Sequence, residues 1–102
     1  MKINTNDIDI GGTHLQGYVS VSYQKLCKKL GPPIRSNGDK VQATWVLEED
    51  GVIATIYDWK EYGRSPEFVT DWHIGGHDSD ALTLVRRAVG SGISRLPSGN
   101  SW

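Results

Sequence analysis

With 102 residues the chain has the length of about one domain, and a domain of this size buries roughly 60–70% of its unfolded surface, enough for one modest core. Eleven Lys and Arg residues stand against twelve Asp and Glu, a formal net charge of -1, so no global basic field draws the chain to DNA or RNA. The single cysteine, Cys27, excludes an internal disulfide, the polar start Met1-Lys2-Ile3-Asn4 does not read as a signal peptide, and no window has the apolar length of a membrane span.

Residues 1–13 carry a short apolar alternation, Ile8 and Ile10, closed by Gly11-Gly12-Thr13; this reads as an edge strand or arm ending in a turn. Leu15 to Ser20 has strand content. Ser22 then offers an oxygen to cap a helix starting at Tyr23, with Val21 placed to staple against Leu26. Tyr23, Leu26, Cys27 and Leu30 fall at helical spacing on one side, while Lys25, Lys28 and Lys29 take the wet side. Gly31 and Pro32-Pro33 stop the helix, and a polar loop follows to residue 40.

Val41 to Lys60 holds two β-rich runs around Asp50-Gly51, a dipeptide that supplies positive φ for a two-residue hairpin turn. That turn pairs Glu49 with Val52. It places Trp45 opposite Ile56 and Leu47 opposite Ala54 on one face, and Val46 opposite Thr55, Thr44 opposite Tyr57 and Gln42 opposite Trp59 on the other. Both faces are partly apolar, so the second is expected to meet another subunit, a ligand or the chain's own ends.

Residues 67–74 alternate Phe68, Thr70, Trp72 and Ile74 against Val69, Asp71 and His73, as a third strand would, with Gly75-Gly76 ending it. Asp78 or Ser79 then caps a second helix that buries Leu82, Val85 and Val89 and carries Arg86 and Arg87 near its end. The Gly/Ser-rich stretch 90–102 reads as a flexible tail behind a domain of residues 1–89. The expected fold is α+β: a small antiparallel sheet of three to four strands with two amphipathic helices on one face. Two helices cover one face only, so the face bearing Tyr57 and Trp59 is the candidate site.

Several chemistries fit poorly. His73 and His77 would need a helical turn to converge on a metal, and Gly75-Gly76 argues against that turn. His14 is isolated. No nucleophile elbow or Cys-His pairing is present, and Cys27 sits on the apolar stripe of the first helix, where it packs as a small hydrophobe. Asp58 and Asp71 would need unequal environments to work as an acid/base pair, and the sequence shows none. Trp45 and Trp72 share faces with Leu47, Ile56, Phe68 and Ile74 and belong to the core. Trp59 instead shares its face with Tyr57 and Gln42, where an indole can stack on a nucleobase. Gly75-Gly76, between a strand and a helix start, serves close packing or offers backbone donors to a phosphate.

The order Gly12-Thr13-x-Leu15-Gln16-Gly17-Tyr18-Val19, Tyr23-x2-Leu26-x4-Gly31-x-Pro33, Trp45, Asp50-Gly51, Ile56-Tyr57-x-Trp59-Lys60 and Trp72-His73-Ile74-Gly75-Gly76 resembles small proteins encoded by tailed bacteriophages, over residues 12 to 89. Such proteins include oligomeric sponges that sequester the cyclic nucleotide signals of bacterial immunity. The resemblance implies a non-enzymatic homo-oligomer in the host cytoplasm that binds a cyclic oligonucleotide without cleaving it and needs no cofactor. Its residues are assigned from the chain itself: Tyr57 and Trp59 for stacking; Lys60, His73 and the Gly75 and Gly76 amides for phosphates; and Arg64, Arg86 or Arg87 from a loop or a neighbouring subunit. The alternative is a protein-binding inhibitor that docks the same face on a host enzyme.

Overall fold

The structure is a computed structural model that describes residues 1–35, 41–59, 65–90 and 92–95. Its strands are β1 (Lys2–Ile3), β2 (His14–Ser20), β3 (Ile34–Arg35), β4 (Ala43–Glu49), β5 (Val52–Tyr57), β6 (Asp71–Gly76) and β7 (Ile93–Arg95), with helices α1 (Tyr23–Leu30) and α2 (Asp80–Val89). Every pairing is antiparallel, in the order β1-β4-β5-β6-β2-β7, and β3 shares the outer edge of β4 with β1. The α+β class is as expected, with both helices on one face, but the sheet is wider than three to four strands. Among the described residues no helix is long and apolar enough to cross a membrane.

The hairpin forms as its turn dictates. Asp50 and Gly51 both have positive φ, 52° and 79°, and the register runs Glu49 to Val52, Leu47 to Ala54, Trp45 to Ile56 and Thr44 to Tyr57. The Ser22 hydroxyl accepts from Lys25 N at 3.1 Å and starts α1. At α2, Ser79 occupies the cap position without a side-chain bond, and Asp78 Oδ1 accepts from Asp80 N at 2.9 Å instead.

Three expectations are corrected. Phe68 lies in a 3-10 turn over Pro66–Phe68, not in a strand, and is 71% exposed; β6 begins only at Asp71. Gly75 and Gly76 do not follow the strand but form its last two residues, and glycine is needed there because a side chain at either would collide: a Cβ on Gly76 would sit 2.3 Å from Ala81 Cβ, where α2 packs down. The stretch after residue 89 supplies β7, which pairs Ile93 with Val19. Such a short strand has too little pattern to read in sequence, and only the free edge of β2 makes it one.

The core lies between the sheet and the helices. Trp45 and Trp72 meet edge-to-face at 5.3 Å, and Tyr23 of α1 stacks on Trp72 at 6.4 Å. Each indole also donates to a carbonyl flanking α1: Trp72 Nε1 to Val21 O at 3.0 Å, and Trp45 Nε1 to Gly31 O at 2.8 Å. Leu26, Leu47, Ile56, Ile74, Leu84 and Val85 fill the space around them with no exposure. Burial of each large apolar side chain contributes roughly 1.5–3 kcal/mol.

At the sheet edge Asn4, at φ 56°, joins β1 to the rest. Its N–H donates to Val46 O and its Oδ1 accepts from Val46 N, both at 2.7 Å, while Nδ2 reaches Pro32 O at 3.0 Å. From there the chain must pass β4, β5 and β6 to reach β2, four strand spacings or roughly 19 Å. It takes the face without helices. Ile10 and Thr13 of this arm line a cleft with Thr55, Tyr57 and Gly75 of the sheet. The chain's own N-terminal arm thus meets part of the second apolar face.

Replacing Trp45 by Phe removes the donor to Gly31 O and leaves space beside Trp72. A loss of about 2–4 kcal/mol is expected, seen as a lower urea midpoint with an unchanged slope.

Candidate functional site

The register places Thr44, Tyr57, His73 and Tyr18 in one row across four strands, all on the face opposite the helices. The His73 ring lies between two phenols: it stacks on Tyr57 at 5.5 Å and 24° and meets Tyr18 edge-on at 5.1 Å. Trp59 extends the cluster past the end of β5, 6.3 Å from both Tyr57 and His73. The row arises because residues of like parity in paired strands share a face, and no helix competes for it.

Next to this row the arm and the sheet enclose a cleft of about 260 Å³. Thr44, Thr55, Tyr57 and Gly75 form its sheet side, Val41 and Trp59 stand where β4 and β5 meet the adjoining segments, and Ile10, Thr13 and His14 come from the arm and the start of β2. Trp59 is 38% exposed and Ile10 44%, so the cleft opens between an indole and an aliphatic side chain. None of these side chains carries a fixed charge. Ligand pockets for drug-sized molecules run about 300–1,000 Å³, so this one suits a single planar ring system.

Asp58 explains where Trp59 stands. It points to the helix side, fully buried, and its Oδ1 accepts from Gln42 N at 2.8 Å and Ala43 N at 3.0 Å. The carboxylate takes amides at the start of β4, and the backbone keeps one long bond there, Asp58 N to Ala43 O at 3.4 Å. The strand ends are joined through a side chain, and Val41 and Trp59 flank the cleft beyond that junction. Asp71 is exposed, accepts from Ser20 Oγ at 3.0 Å and lies on the opposite face of the sheet, so the two carboxylates do not form an acid/base pair. Sequence reasoning did not see the role of Asp58; an Asp at a strand end next to a Trp was the one local signal.

The other sequence candidates are placed as follows. Tyr57 and Trp59 border the cleft, whereas His73 lies behind Tyr57 as a ring support and does not line it. Gly75 lines the cleft, but its amide and that of Gly76 belong to a strand flanked on both sides by β5 and β2. Ladder bonding occupies such amides, so Gly75 and Gly76 act by closeness of packing and not as a phosphate cradle. Arg86 and Arg87 sit on α2, in the opposite layer; Arg87 Nη1 pairs with Glu49 Oε2 at 3.2 Å, and Arg86 borders a groove with Leu82 and Ile93. Within one subunit neither reaches the cleft. Lys60 and Arg64 lie outside the described residues. His73 lies within β6 and His77 just past its end, and no metal-binding group of three side chains occurs among the described residues. His14 and Thr13 border the cleft although the sequence did not single them out, because only the path of the arm brings them there.

The fold and the cleft define a single-sheet α+β protein with helices on one face and, on the other, an aromatic, ring-sized cleft that is neutral among the described residues. Comparison with protein-family models, curated proteins and solved structures found no match for this chain.

Burial beside Ile10 and Thr13 raises the Tyr57 phenol above its ordinary value of 10.0 through desolvation, with the neighbouring Tyr18 adding to the effect. The folded state therefore holds this proton more tightly than the unfolded chain. Its contribution to stability is full below about pH 10 and is lost as pH rises through the raised folded value. Spectrophotometric titration of the tyrosines should show a late-ionising phenol that disappears in Tyr57→Phe. Replacing Asp58 by Ala strands two backbone donors, so a loss of about 2–3 kcal/mol in chemical denaturation is expected.

Proposed function

We propose that the chain is a phage counter-defence protein that binds a cyclic oligonucleotide in this cleft and withholds it from the host's defence effector without cleaving it. The observation that carries this reading is a cleft, neutral among the described residues and with room for one ring, bordered by the exposed indole of Trp59 and the half-buried phenol of Tyr57. Bases stack on such surfaces at roughly 1–3 kcal/mol each, and every base has a face to offer. Phosphates need cations that the described cleft does not hold. Lys60 and Arg64, which follow Trp59 in sequence, are the nearest candidates along the chain, and Arg86 and Arg87 would serve only from a second copy. Because one cleft takes one ring, a cyclic di- or trinucleotide would engage one protomer per base, which accords with a homo-oligomer. The host cytoplasm is where such a ligand is found. Asp58 is held on backbone amides and His73 is packed between phenols, structural roles that accord with sequestration.

A second reading, a protein-binding inhibitor of a host enzyme, draws on the same exposed pair, Ile10 and Trp59, as an apolar anchor.

Calorimetry against cyclic di- and trinucleotides should give heat with at least one member, a ligand recoverable intact after denaturation, and affinity at least tenfold weaker in Trp59→Ala. No heat with any member, in folded protein, sinks the proposal. Loss of a host-protein pull-down in Trp59→Ala, with no nucleotide bound, would establish the second reading.

A further inference from the structure

We infer that Thr44 and Thr55 read the polar edge of the bound ring, so that the cleft selects a nucleobase over an apolar aromatic of the same size; the inference rests on the cleft being a ring-binding site. Both threonines project from the helix-free face. Since Thr44 pairs with Tyr57 and Thr55 with Val46, they occupy adjacent strands one row apart, a diagonal of roughly 7–8 Å or less between their Cβ atoms. A single heteroaromatic ring system spans that separation with two of its edge atoms.

Their hydroxyls are available. Three threonines line the cleft, and Thr13 Oγ1 already donates to Ile10 O at 2.8 Å. Thr44 and Thr55 have no side-chain hydrogen bond among the described residues. Thr55 is only 5% exposed, yet its oxygen is not among the fully enclosed polar atoms, so what access it has is through the cleft it lines. Gly75 keeps it there: a Cβ on Gly75 would stand 2.5 Å from Thr55 Oγ1 and 3.5 Å from Tyr57 Cε1, so the hydroxyl leans into space that any other residue would fill.

A hydroxyl both donates and accepts, so the pair adapts to the ring nitrogens, carbonyls and amino groups of any base. An apolar ring would leave both hydroxyls buried and unpaired, which a site built this way discriminates against strongly. The faces of the base are then held by aromatic and aliphatic contact, and its edge by the two threonines.

Valine keeps the β-branched shape of threonine in a strand and removes only the hydroxyl's bonding, so the test uses Thr44→Val and Thr55→Val, with Thr55→Ser as the variant that retains the oxygen. Wild type and variants are titrated with adenosine, guanosine, cytidine and uridine, with naphthalene, and with the cyclic di- and trinucleotide panel. Each Val variant should weaken nucleoside binding about tenfold and leave naphthalene binding unweakened, while Thr55→Ser stays within about threefold of wild type. Nucleoside affinities unaltered in both Val variants overturn the inference even if cyclic nucleotides bind. Nucleosides bound in a threonine-dependent way, with no heat from any cyclic nucleotide, uphold the inference and overturn only the sequestration reading. A wild-type protein that binds no nucleoside and no nucleotide overturns both.

Discussion

The contact between Trp45 and Trp72 is the constraint on which the rest of the structure depends. One indole comes from β4 and the other from β6; they meet edge-to-face between those strands, over β5, at 5.3 Å, and each hands its N–H to a carbonyl at one end of α1. A helix of 8 residues is too short to persist alone. Held at Val21 and at Gly31, with Tyr23 laid against both rings, it becomes the lid of the core. The helix layer is thereby committed to the face bearing the two indoles, and the opposite face must be covered by something else or stay open.

What covers it in part is the N-terminal arm. The connection from β1 at one edge to β2 beyond β6 has to cross the sheet, and the occupied helix side leaves it one route. Asn4 fixes the start of that route through three hydrogen bonds, and Lys2 pairs with Asp7 at the surface, holding the Asp7 carboxyl down to about 2. The cleft is the space that remains between the arm and the row of rings. Its chemistry follows from the strands beneath it: alternate residues of β5 and β6 put Tyr57 and His73 upward and Ile56 and Ile74 into the core. Threonines among these positions give polar spots in a surface that otherwise stacks and excludes water.

Much of this was legible where a local rule settles the outcome. Asp50-Gly51 sets a two-residue turn, and the whole β4–β5 register follows from it. Ser22 and the spacing of Leu26 and Leu30 set α1. Phe68 shows the limit of such patterns: its apparent alternation with Thr70 and Trp72 comes from a 3-10 turn that leads into the strand. Gly75-Gly76 looks the same in sequence whether it ends a strand, cradles an anion or makes room for a neighbour. The atoms that decide, Ala81 Cβ and Thr55 Oγ1, belong to other elements. Arg86 and Arg87 were candidates by charge, and only the layer order puts them across the sheet from Tyr57.

The sequence by itself determined the α+β class, the hairpin and its register, the first helix with its cap, and the sharing of one face by Tyr57 and Trp59, because each depends on residues a few positions apart. Tertiary structure decided the width of the sheet, the path of the arm over it, the burial of Asp58 and the meeting of Thr44, Thr55 and Gly75 in one cleft. Those outcomes depend on which strand edge is free, which face is already covered and how closely two backbones can approach, and the chain states none of these until it has folded.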